Sequence, residues 1–256
     1  MSAIRLGTRA STLATTQSEM VAGLLRSEGL DVNLTTITTH GDTSTASLAA
    51  MGGIGVFASA IRAALLEGEA DIAVHSFKDL PTGRPLGLAI GAVPARADPR
   101  DALVARDGLT LHDLPQEASV GTGSPRRAAQ LLAVRPDLTI VDIRGNVDTR
   151  LGRVKGLGHY AKGGGKEDLD AVVLAASGLA RLGHSGTVTE FLDPSVVLPA
   201  PAQGALAVEC RTADSRHGKL AKALARIDDR RTRLAATAER AVLSHLEAGC
   251  AAPIGA

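Results

Sequence analysis

The chain contains very few aromatic residues. Its 256 residues include no Trp, one Tyr and three Phe, so the stacking surfaces that hold single-stranded bases are nearly missing. An excess of one charge is missing too, because 28 Lys and Arg against 27 Asp and Glu leave a net charge of +1. This balance argues against a nucleic-acid partner, which a generally basic surface would favour. Any anion-binding site must therefore be built locally from a few residues.

Long hydrophobic runs and a disulfide framework are also lacking. No apolar run is long enough to span a bilayer, and residues 1–6 lack the basic and apolar regions of a signal peptide. We therefore expect a cytosolic protein with no membrane partner. The two cysteines lie far apart; Cys210 falls in an apolar strand, which favours a buried packing role, whereas Cys250 follows a glycine in a loop. A thiol in such a loop is either reactive or idle.

Short apolar runs alternate along the chain with segments whose apolar residues have helical spacing. This alternation predicts an α/β fold. A length of 256 residues favours two domains, and 45% hydrophobic content is enough for real cores. Proline-rich stretches at 94–101 and 198–201 predict two crossings between the domains, which together make a hinge. The apolar strand at 205–210 is expected to return to the first sheet. The seven histidines show no metal-ligand spacing, so no metal is predicted.

The most informative segment runs from Asp71 to Pro81. It is an apolar strand with the β-branched residues of a buried parallel strand, and ligands bind outside the carboxyl ends of such strands. The polar residues at its end are His75, Ser76, Lys78 and Asp79. Because Pro81 stops regular structure, we expect Lys78 and Asp79 on a turn that faces a cleft. The alternative is a solvated turn with an exposed ion pair.

A second candidate site lies in the segment 119–132. Its order is strand, glycine turn and helix, in which Ser124 suits the N-cap and Pro125 the first helical position. Arg126 and Arg127 follow in the first helical turn, where positive charge opposes the helix dipole. A pair placed there favours an anionic ligand over a solvated pair, because the helix start itself already attracts anions.

Further arginines follow the ends of other predicted strands. Arg144 follows the end of one predicted strand, and Arg150 lies one turn into the helix after it. Arg181 follows another predicted buried strand. This recurrence in the second half of the chain predicts a cleft for a ligand with several carboxylates or phosphates. In the first half of the chain, Arg9 and Ser11 lie at a strand-to-helix turn where Ser11 can cap the helix. Arg9 either adds positive charge beside the unpaired amides of that turn or is an ordinary surface arginine.

Six motifs together resemble the porphobilinogen deaminase family, also called hydroxymethylbilane synthases, of the tetrapyrrole pathway. The resemblance covers essentially the whole chain. The motifs are Gly7–Ser11, His75–Pro81, Gly121–Arg127, Arg144–Arg150, Pro201–Ala205 and Gly249–Gly255.

The resemblance implies two periplasmic-binding-protein-like (type II) domains joined by a hinge, plus a small α/β third domain. On this basis domain 1 comprises residues 1–95 plus 202–222, and domain 2 comprises residues 96–201. Residues 223–256 are then a remnant of the third domain, because that domain of the family continues for several more elements than this chain. A monomer is expected.

The resemblance also implies the chemistry. The family condenses four porphobilinogens head to tail, releases ammonia, and hydrolyses hydroxymethylbilane from a retained dipyrromethane cofactor that is joined by a thioether to the position of Cys250. Positive charge develops on the pyrrole rings, and Asp79 aligns with the carboxylate that stabilises it and moves the released proton. Lys78 would assist catalysis and pair with a cofactor or substrate carboxylate.

Each pyrrole unit carries an acetate and a propionate, so the resemblance implies many cationic partners. The implied cofactor-binding residues are Cys250, Lys78, Thr122, Ser124, Arg126, Arg127, Arg144 and Gly145. The implied substrate-binding residues are Arg9, Ser11, Gln17, Arg144, Arg150, Arg181 and Gln203.

Two alternatives stay open at this point. Many family members carry lysines where the predicted 40–55 loop has Ala50 and Ile54, so the role of this loop is undecided. Two hinged α/β domains with an arginine-lined cleft also describe a non-catalytic small-anion binding protein. Such a receptor would need neither Asp79 nor Cys250.

Overall fold

The computed structural model describes residues 3–37, 58–83, 85–247 and 252–256. The chain divides into two compact units, each with one five-stranded sheet. Unit 1 is Met1–Ala97 with Ala205–Cys250, and unit 2 is Asp98–Gly204 with Ala251–Ala256. A separate third domain that begins at residue 223 stays a prediction.

The strands and helices are numbered along the whole chain. The strands are β1 (Ile4–Thr8), β2 (Val32–Thr36), β3 (Ile72–Ser76), β4 (Leu88–Ala92), β5 (Asp101–Ala105), β6 (Ser119–Gly121), β7 (Thr139–Val141), β8 (Ala171–Ala175), β9 (Glu190–Phe191) and β10 (Leu206–Arg211). The helices are α1 (Thr12–Ser27), α2 (Ser59–Leu66), α3 (Pro125–Val134), α4 (Val147–Leu151), α5 (Ala176–Arg181), α6 (Gly218–Ile227) and α7 (Arg230–His245). The predicted 40–55 loop lies outside the described residues.

The sheet of unit 1 has the strand order β2-β1-β3-β10-β4. β1 runs parallel to β2 and β3, whereas β10 is antiparallel to β3, with Leu206 opposite Ser76. This confirms that the strand after the second crossing returns to the first sheet. Because β10 runs in the opposite direction, its first residues lie beside the carboxyl end of β3. The carboxyl ends of β1 and β3 and the start of β10 therefore share one edge of the sheet.

The sheet of unit 2 repeats this plan in the order β7-β6-β8-β5-β9. β6 is parallel to β7 and β8, and β5 is antiparallel to β8, with Asp101 opposite Ala175. Asp101 thus lies at the sheet edge where β6, β7 and β8 end. Each sheet packs on buried aliphatic side chains of its own unit.

Three helices that start near these sheet edges have side-chain N-caps. Ser11 caps α1 by accepting a hydrogen bond from the Ala14 amide, and Ser124 caps α3 by accepting from the Arg127 amide, as predicted. Asn146 caps α4 in the same way. These caps fix where each helix begins, and hence where the polar residues before and after the cap lie.

Candidate active site

The polar residues after β3 lie on a turn, as predicted. Phe77–Asp79 form one turn of 3₁₀ helix directly after Ser76. Phe77 is buried, Lys78 is partly buried and Asp79 is exposed. The turn therefore carries the Asp79 carboxylate at the surface of unit 1, at the sheet edge where strands end.

Two neighbouring elements contribute to this edge of unit 1. Arg9 follows β1, which is parallel to β3 and adjacent to it. Gln17 on α1 is buried and lies within hydrogen-bond distance of Ser76: its Nε2 is 3.0 Å and its Oε1 is 3.2 Å from the Ser76 hydroxyl. Gln17 thus reaches the last residue of β3, one residue before the turn. Ser11 lies between Arg9 and Gln17 and uses its hydroxyl oxygen as the cap of α1.

His75 faces the interior of unit 1. It is buried, and its Nε2 lies 3.3 Å from the Glu209 carboxylate, which also accepts two 3.1 Å hydrogen bonds from Nε of Arg62. Burial alone would raise the pKa of Glu209, but its contacts with His75 and Arg62 lower it below its ordinary value. This buried cluster supports the strand behind the turn. Sequence reasoning did not find it, although a glutamate inside an apolar strand is a signal for a buried partner.

In unit 2, Arg126 and Arg127 are buried and share one carboxylate. They are 4% and 6% exposed, and each donates a 2.7 Å hydrogen bond to Asp101, which is 0% exposed. Gln203 donates to the same carboxylate at 2.8 Å. Burial alone would raise the pKa of Asp101, but the two guanidinium groups hold it far below its ordinary value. The alternative of a solvated arginine pair is therefore wrong.

The contacts of Gln203 in unit 2 are made with the protein itself. Besides Asp101, its side-chain amide donates to the carbonyl oxygen of Pro99 at 2.7 Å, and the side chain is completely buried. The role of Gln203 in substrate binding stays a prediction. Its contacts in unit 2 also help to hold the Asp101 carboxylate between the two arginines.

Two further arginines of unit 2, Arg144 and Arg150, lie near Arg127. Arg150 donates from Nε to the carbonyl oxygen of Gly145 at 2.9 Å. Burial lowers the pKa of Arg150, and the nearby positive charges of Arg127 and Arg144 lower it further, against the opposing effect of Asp142. Arg150 thus lies close enough to Arg127, Arg144 and Asp142 for their charges to act on it.

Gly145 provides the backbone conformation that this arrangement needs. Its φ of 102° lies in the left-handed region, and a Cβ built there would lie 2.8 Å from Cγ2 of Thr149. Any side chain would therefore clash and force the turn between β7 and α4 to move. The turn determines the position of the Gly145 carbonyl oxygen, which accepts the hydrogen bond from Nε of Arg150.

Arg181 lies at the end of α5. Its Nη2 donates to the carbonyl oxygen of Gly204 at 2.7 Å. Burial lowers the pKa of Arg181 to about 10. Within the described residues, Nε of Arg181 and Nε of Arg127 are buried without a hydrogen-bond partner. Buried donors of this kind usually have a partner.

The two cysteines differ in what the structure describes. Cys210 is fully buried in β10, and burial raises the pKa of its thiol to about 11, which confirms the packing role. Cys250 lies outside the described residues.

No cluster of histidine, cysteine and carboxylate side chains suited to a metal occurs among the described residues. No helix in the same part of the chain is long and apolar enough to cross a bilayer.

Comparison with known families decides between the enzyme and the receptor. The family model described as "Porphobilinogen deaminase, dipyromethane cofactor binding domain" matches residues 4–219, and "Porphobilinogen deaminase, C-terminal domain" matches residues 233–256. The chain belongs to the porphobilinogen deaminase family. The porphobilinogen deaminase of Cutibacterium acnes is 99% identical over 256 residues, which cover all of this chain and 77% of that protein. That of Micrococcus luteus is 58% identical over 275 residues, covering 100% of this chain and 73% of that protein.

Solved structures with low sequence identity show the same fold. A periplasmic substrate-binding protein of an ABC transporter from Coxiella burnetii has a TM-score of 0.50 at 17% identity, covering 92% of this chain and 96% of its own. Apo YehZ from Escherichia coli also has a TM-score of 0.50, at 13% identity and 98% and 95% coverage. These likenesses confirm the predicted type II periplasmic-binding-protein-like α/β fold.

The arginine cluster of unit 2 fits the cofactor of the porphobilinogen deaminase family. A dipyrromethane carries several carboxylates, and this part of unit 2 holds the guanidinium groups of Arg126 and Arg127 on Asp101 with Arg144 and Arg150 nearby. Thr122 accepts a 3.2 Å hydrogen bond from the Ser124 amide, and Ser124 accepts from Arg127. Each hydroxyl can still donate its own hydrogen to a carboxylate.

Proposed function

We propose that this member of the porphobilinogen deaminase family joins four porphobilinogen molecules head to tail, releasing ammonia, and yields hydroxymethylbilane. The structural observation that carries the proposal is that Arg126 and Arg127, both buried in unit 2, share the one carboxylate of Asp101. Two guanidinium groups on one carboxylate suit a substrate with two carboxylates per pyrrole. The match of residues 4–219 to the cofactor-binding domain supports the same reading.

Asp79 is the proposed catalytic carboxylate. It is exposed on a turn at a sheet edge, and the backbone of that turn is fixed by buried neighbours such as Phe77. A carboxylate already in place stabilises positive charge on a pyrrole ring without reorganising during the reaction. It also accepts the proton that leaves when the ring regains aromaticity. Lys78, next to it, pairs with a carboxylate of the substrate or cofactor.

The arginines of unit 2 are the proposed partners of the acetate and propionate groups. Asp101 holds Arg126 and Arg127 in fixed positions, so little side-chain entropy is lost when a ligand binds. Arg144, Arg150 and Arg181 add guanidinium forks suited to carboxylates. Arg9, Ser11 and Gln17 are the proposed substrate contacts from unit 1, and Gln203 is one from unit 2. Thr122, Ser124 and Gly145 complete the proposed cofactor contacts.

Cys250 is the proposed attachment point of the cofactor through a thioether. When bound, a dipyrromethane supplies the unsubstituted pyrrole carbon to which the first substrate is joined. Cys210 is unsuited to this role because its thiol is buried and its pKa is raised to about 11. We also infer a monomer in the cytosol with no nucleic-acid partner. The net charge of +1 and the scarcity of aromatic residues argue against a nucleic-acid partner.

Intact-mass measurement combined with a turnover assay tests the proposal. The unaltered protein, expressed with ample porphobilinogen, should carry an adduct of two linked pyrrole units. Cys250→Ser should show the bare polypeptide mass, whereas Cys210→Ser, the matched control, should keep the adduct. Asp79→Asn should keep the adduct but lose turnover by about 10²-fold or more, as removal of a preorganised charge commonly does.

Two outcomes would contradict the proposal. A bare mass for the unaltered protein would contradict the covalent attachment of the cofactor to Cys250. Near-normal turnover of Asp79→Asn in adduct-bearing protein would remove Asp79 from the mechanism, while leaving the assignment of Cys250 intact.

A further inference from the structure

An arginine of α7 is bonded to the backbone of the turn that carries Asp79. Nη1 of Arg240 donates to the carbonyl oxygens of Phe77 and Leu80, at 2.8 Å each, and Nη2 donates to that of Pro81 at 2.7 Å. The guanidinium carbon also lies 4.5 Å from the centre of the Phe77 ring. One side chain thus spans the turn from its first residue to two residues past its end. All of these groups belong to unit 1.

The turn depends on this side chain more than on its own hydrogen bonding. The bond that closes the turn, from the Leu80 amide to the Phe77 carbonyl oxygen, is 3.4 Å long and therefore weak. The three bonds from Arg240 are short and carry a positive charge, which makes such bonds roughly twice as strong as neutral ones. At the other side, the Phe77 amide donates to Ala205 at 3.0 Å. Arg240 consequently holds the backbone on both sides of Lys78 and Asp79.

The helix that bears Arg240 is anchored by other contacts. Asp229 caps α7 by accepting from the Thr232 amide at 2.7 Å, and Thr232 accepts a 3.0 Å bond from the Arg96 amide. Arg96 also forms a two-pronged ion pair with Glu239, whose second bond is 2.8 Å. α7 therefore stays docked on unit 1 when the side chain at position 240 changes. The effect of such a change should be confined to the turn.

We propose that Arg240 is a positioning residue for the reaction: it sets where the turn holds the Asp79 carboxylate. The inference rests on the proposed role of Asp79 and extends it to a residue that no sequence pattern marked. Displacing a reacting group by about 1 Å can cost on the order of 10²-fold in rate. Arg240 acts through the backbone of residues 77–81, so the step that needs Asp79 should suffer more than substrate capture by the arginines of unit 2.

Arg240→Gln and Arg240→Lys test this, with Arg233→Gln as the matched control. Arg233 lies two turns earlier on α7 and also donates to backbone carbonyl oxygens, at 3.3 Å to Gly91, while it pairs with Asp228. Arg240→Gln should keep the mass adduct and lower kcat about 10²-fold, with KM changed less than about threefold. Arg240→Lys, which keeps the charge, should recover part of kcat. Arg233→Gln should lower the melting temperature by a similar amount and leave kcat within about threefold.

A double-mutant cycle separates failure of this inference from failure of the proposed function. If Arg240 acts through Asp79, the double variant Asp79→Asn/Arg240→Gln should be no slower than Asp79→Asn alone. If the losses of kcat in Asp79→Asn and Arg240→Gln add in the double variant, the positioning role is overturned and the role of Asp79 stands. Equal losses of kcat in Arg240→Gln and Arg233→Gln would have the same consequence. Normal turnover of Asp79→Asn would instead refute the proposed function of Asp79, and the inference with it.

Discussion

At the scale of single residues, Asp101 is the buried carboxylate around which the arginines of α3 are arranged in unit 2. Its buried carboxylate accepts hydrogen bonds from Arg126, Arg127 and Gln203. Taking three charged groups out of water is costly, and the arrangement is stable only while each charge keeps its partner. Asp101 therefore decides whether the two arginines can stay buried at the sheet edge.

Asp101→Asn should destabilise the protein strongly, because two buried guanidinium groups would lose the negative charge of the carboxylate that they share. Loss of one partner of a buried ion pair costs about 3–5 kcal/mol. Asp168→Asn is the matched control in unit 2, since Asp168 pairs with Arg153 but its side chain is 44% exposed, and an exposed pair contributes about 0–1 kcal/mol. The free energy of unfolding in urea measures both. Equal losses of unfolding free energy in Asp101→Asn and Asp168→Asn would contradict the importance assigned to the buried Asp101 carboxylate.

At the scale of elements, Asp71 joins three neighbouring strands of unit 1. It precedes β3 and binds Arg5 of β1 at 2.8 Å and Arg211 of β10 at 3.0 Å. Burial alone would raise the pKa of Asp71, but hydrogen bonds from Arg5 and Arg211 lower it to about 2. This ion cluster lies at the beginning of β3, at the end of the strand opposite to the Asp79 turn.

A lowered pKa makes the contribution of Asp71 to stability dependent on pH. An aspartate in an unfolded chain titrates near pH 3.9, so the contribution is fully present above that pH and is lost as the pH falls toward the folded pKa of about 2. Asp71→Asn should therefore be less stable than the unaltered protein by a constant amount between pH 5 and 7, and by a shrinking amount below pH 4. Urea unfolding across this range measures the difference. A difference in unfolding free energy that does not change with pH would exclude a contribution from the lowered pKa of Asp71.

At the scale of the whole molecule, each unit has its own core. Leu25 of α1 is buried with the aliphatic residues of unit 1, and Leu131 of α3 with those of unit 2. Leu131 lies one turn past Arg127, on the same helix. The packing that stabilises the arginines thus comes from unit 2, and the packing behind the Asp79 turn comes from unit 1.

Cavities made in the two cores should therefore act on different units. Leu25→Ala and Leu131→Ala should each cost about 2–5 kcal/mol, the usual range for a buried leucine. Hydrogen exchange followed by mass spectrometry should show faster exchange in β1 and β3 for Leu25→Ala, and in β6 and β8 for Leu131→Ala. Exchange that rises equally in both units for either variant would show that they unfold as one cooperative body.

Much of this organisation follows from short stretches of sequence. The cap and first turn of α3 were predictable from Ser124 and Pro125, because a helix start depends on groups within a few residues of each other. The turn after β3 was predictable from an apolar run that ends before Pro81 for the same reason. The return of β10 to the first sheet followed from the second proline-rich crossing.

Sequence alone determined the α/β fold, the places where strands end, and the family whose motifs occupy those ends. Only the tertiary structure decided which partners meet there: Asp101 with the arginines of α3, Glu209 with His75, and Arg240 with a turn that is 163 residues away in the chain. Local patterns depend on neighbouring residues, whereas these pairs depend on strand order, direction and burial. Those properties are settled when distant segments pack together, and no window of sequence contains them.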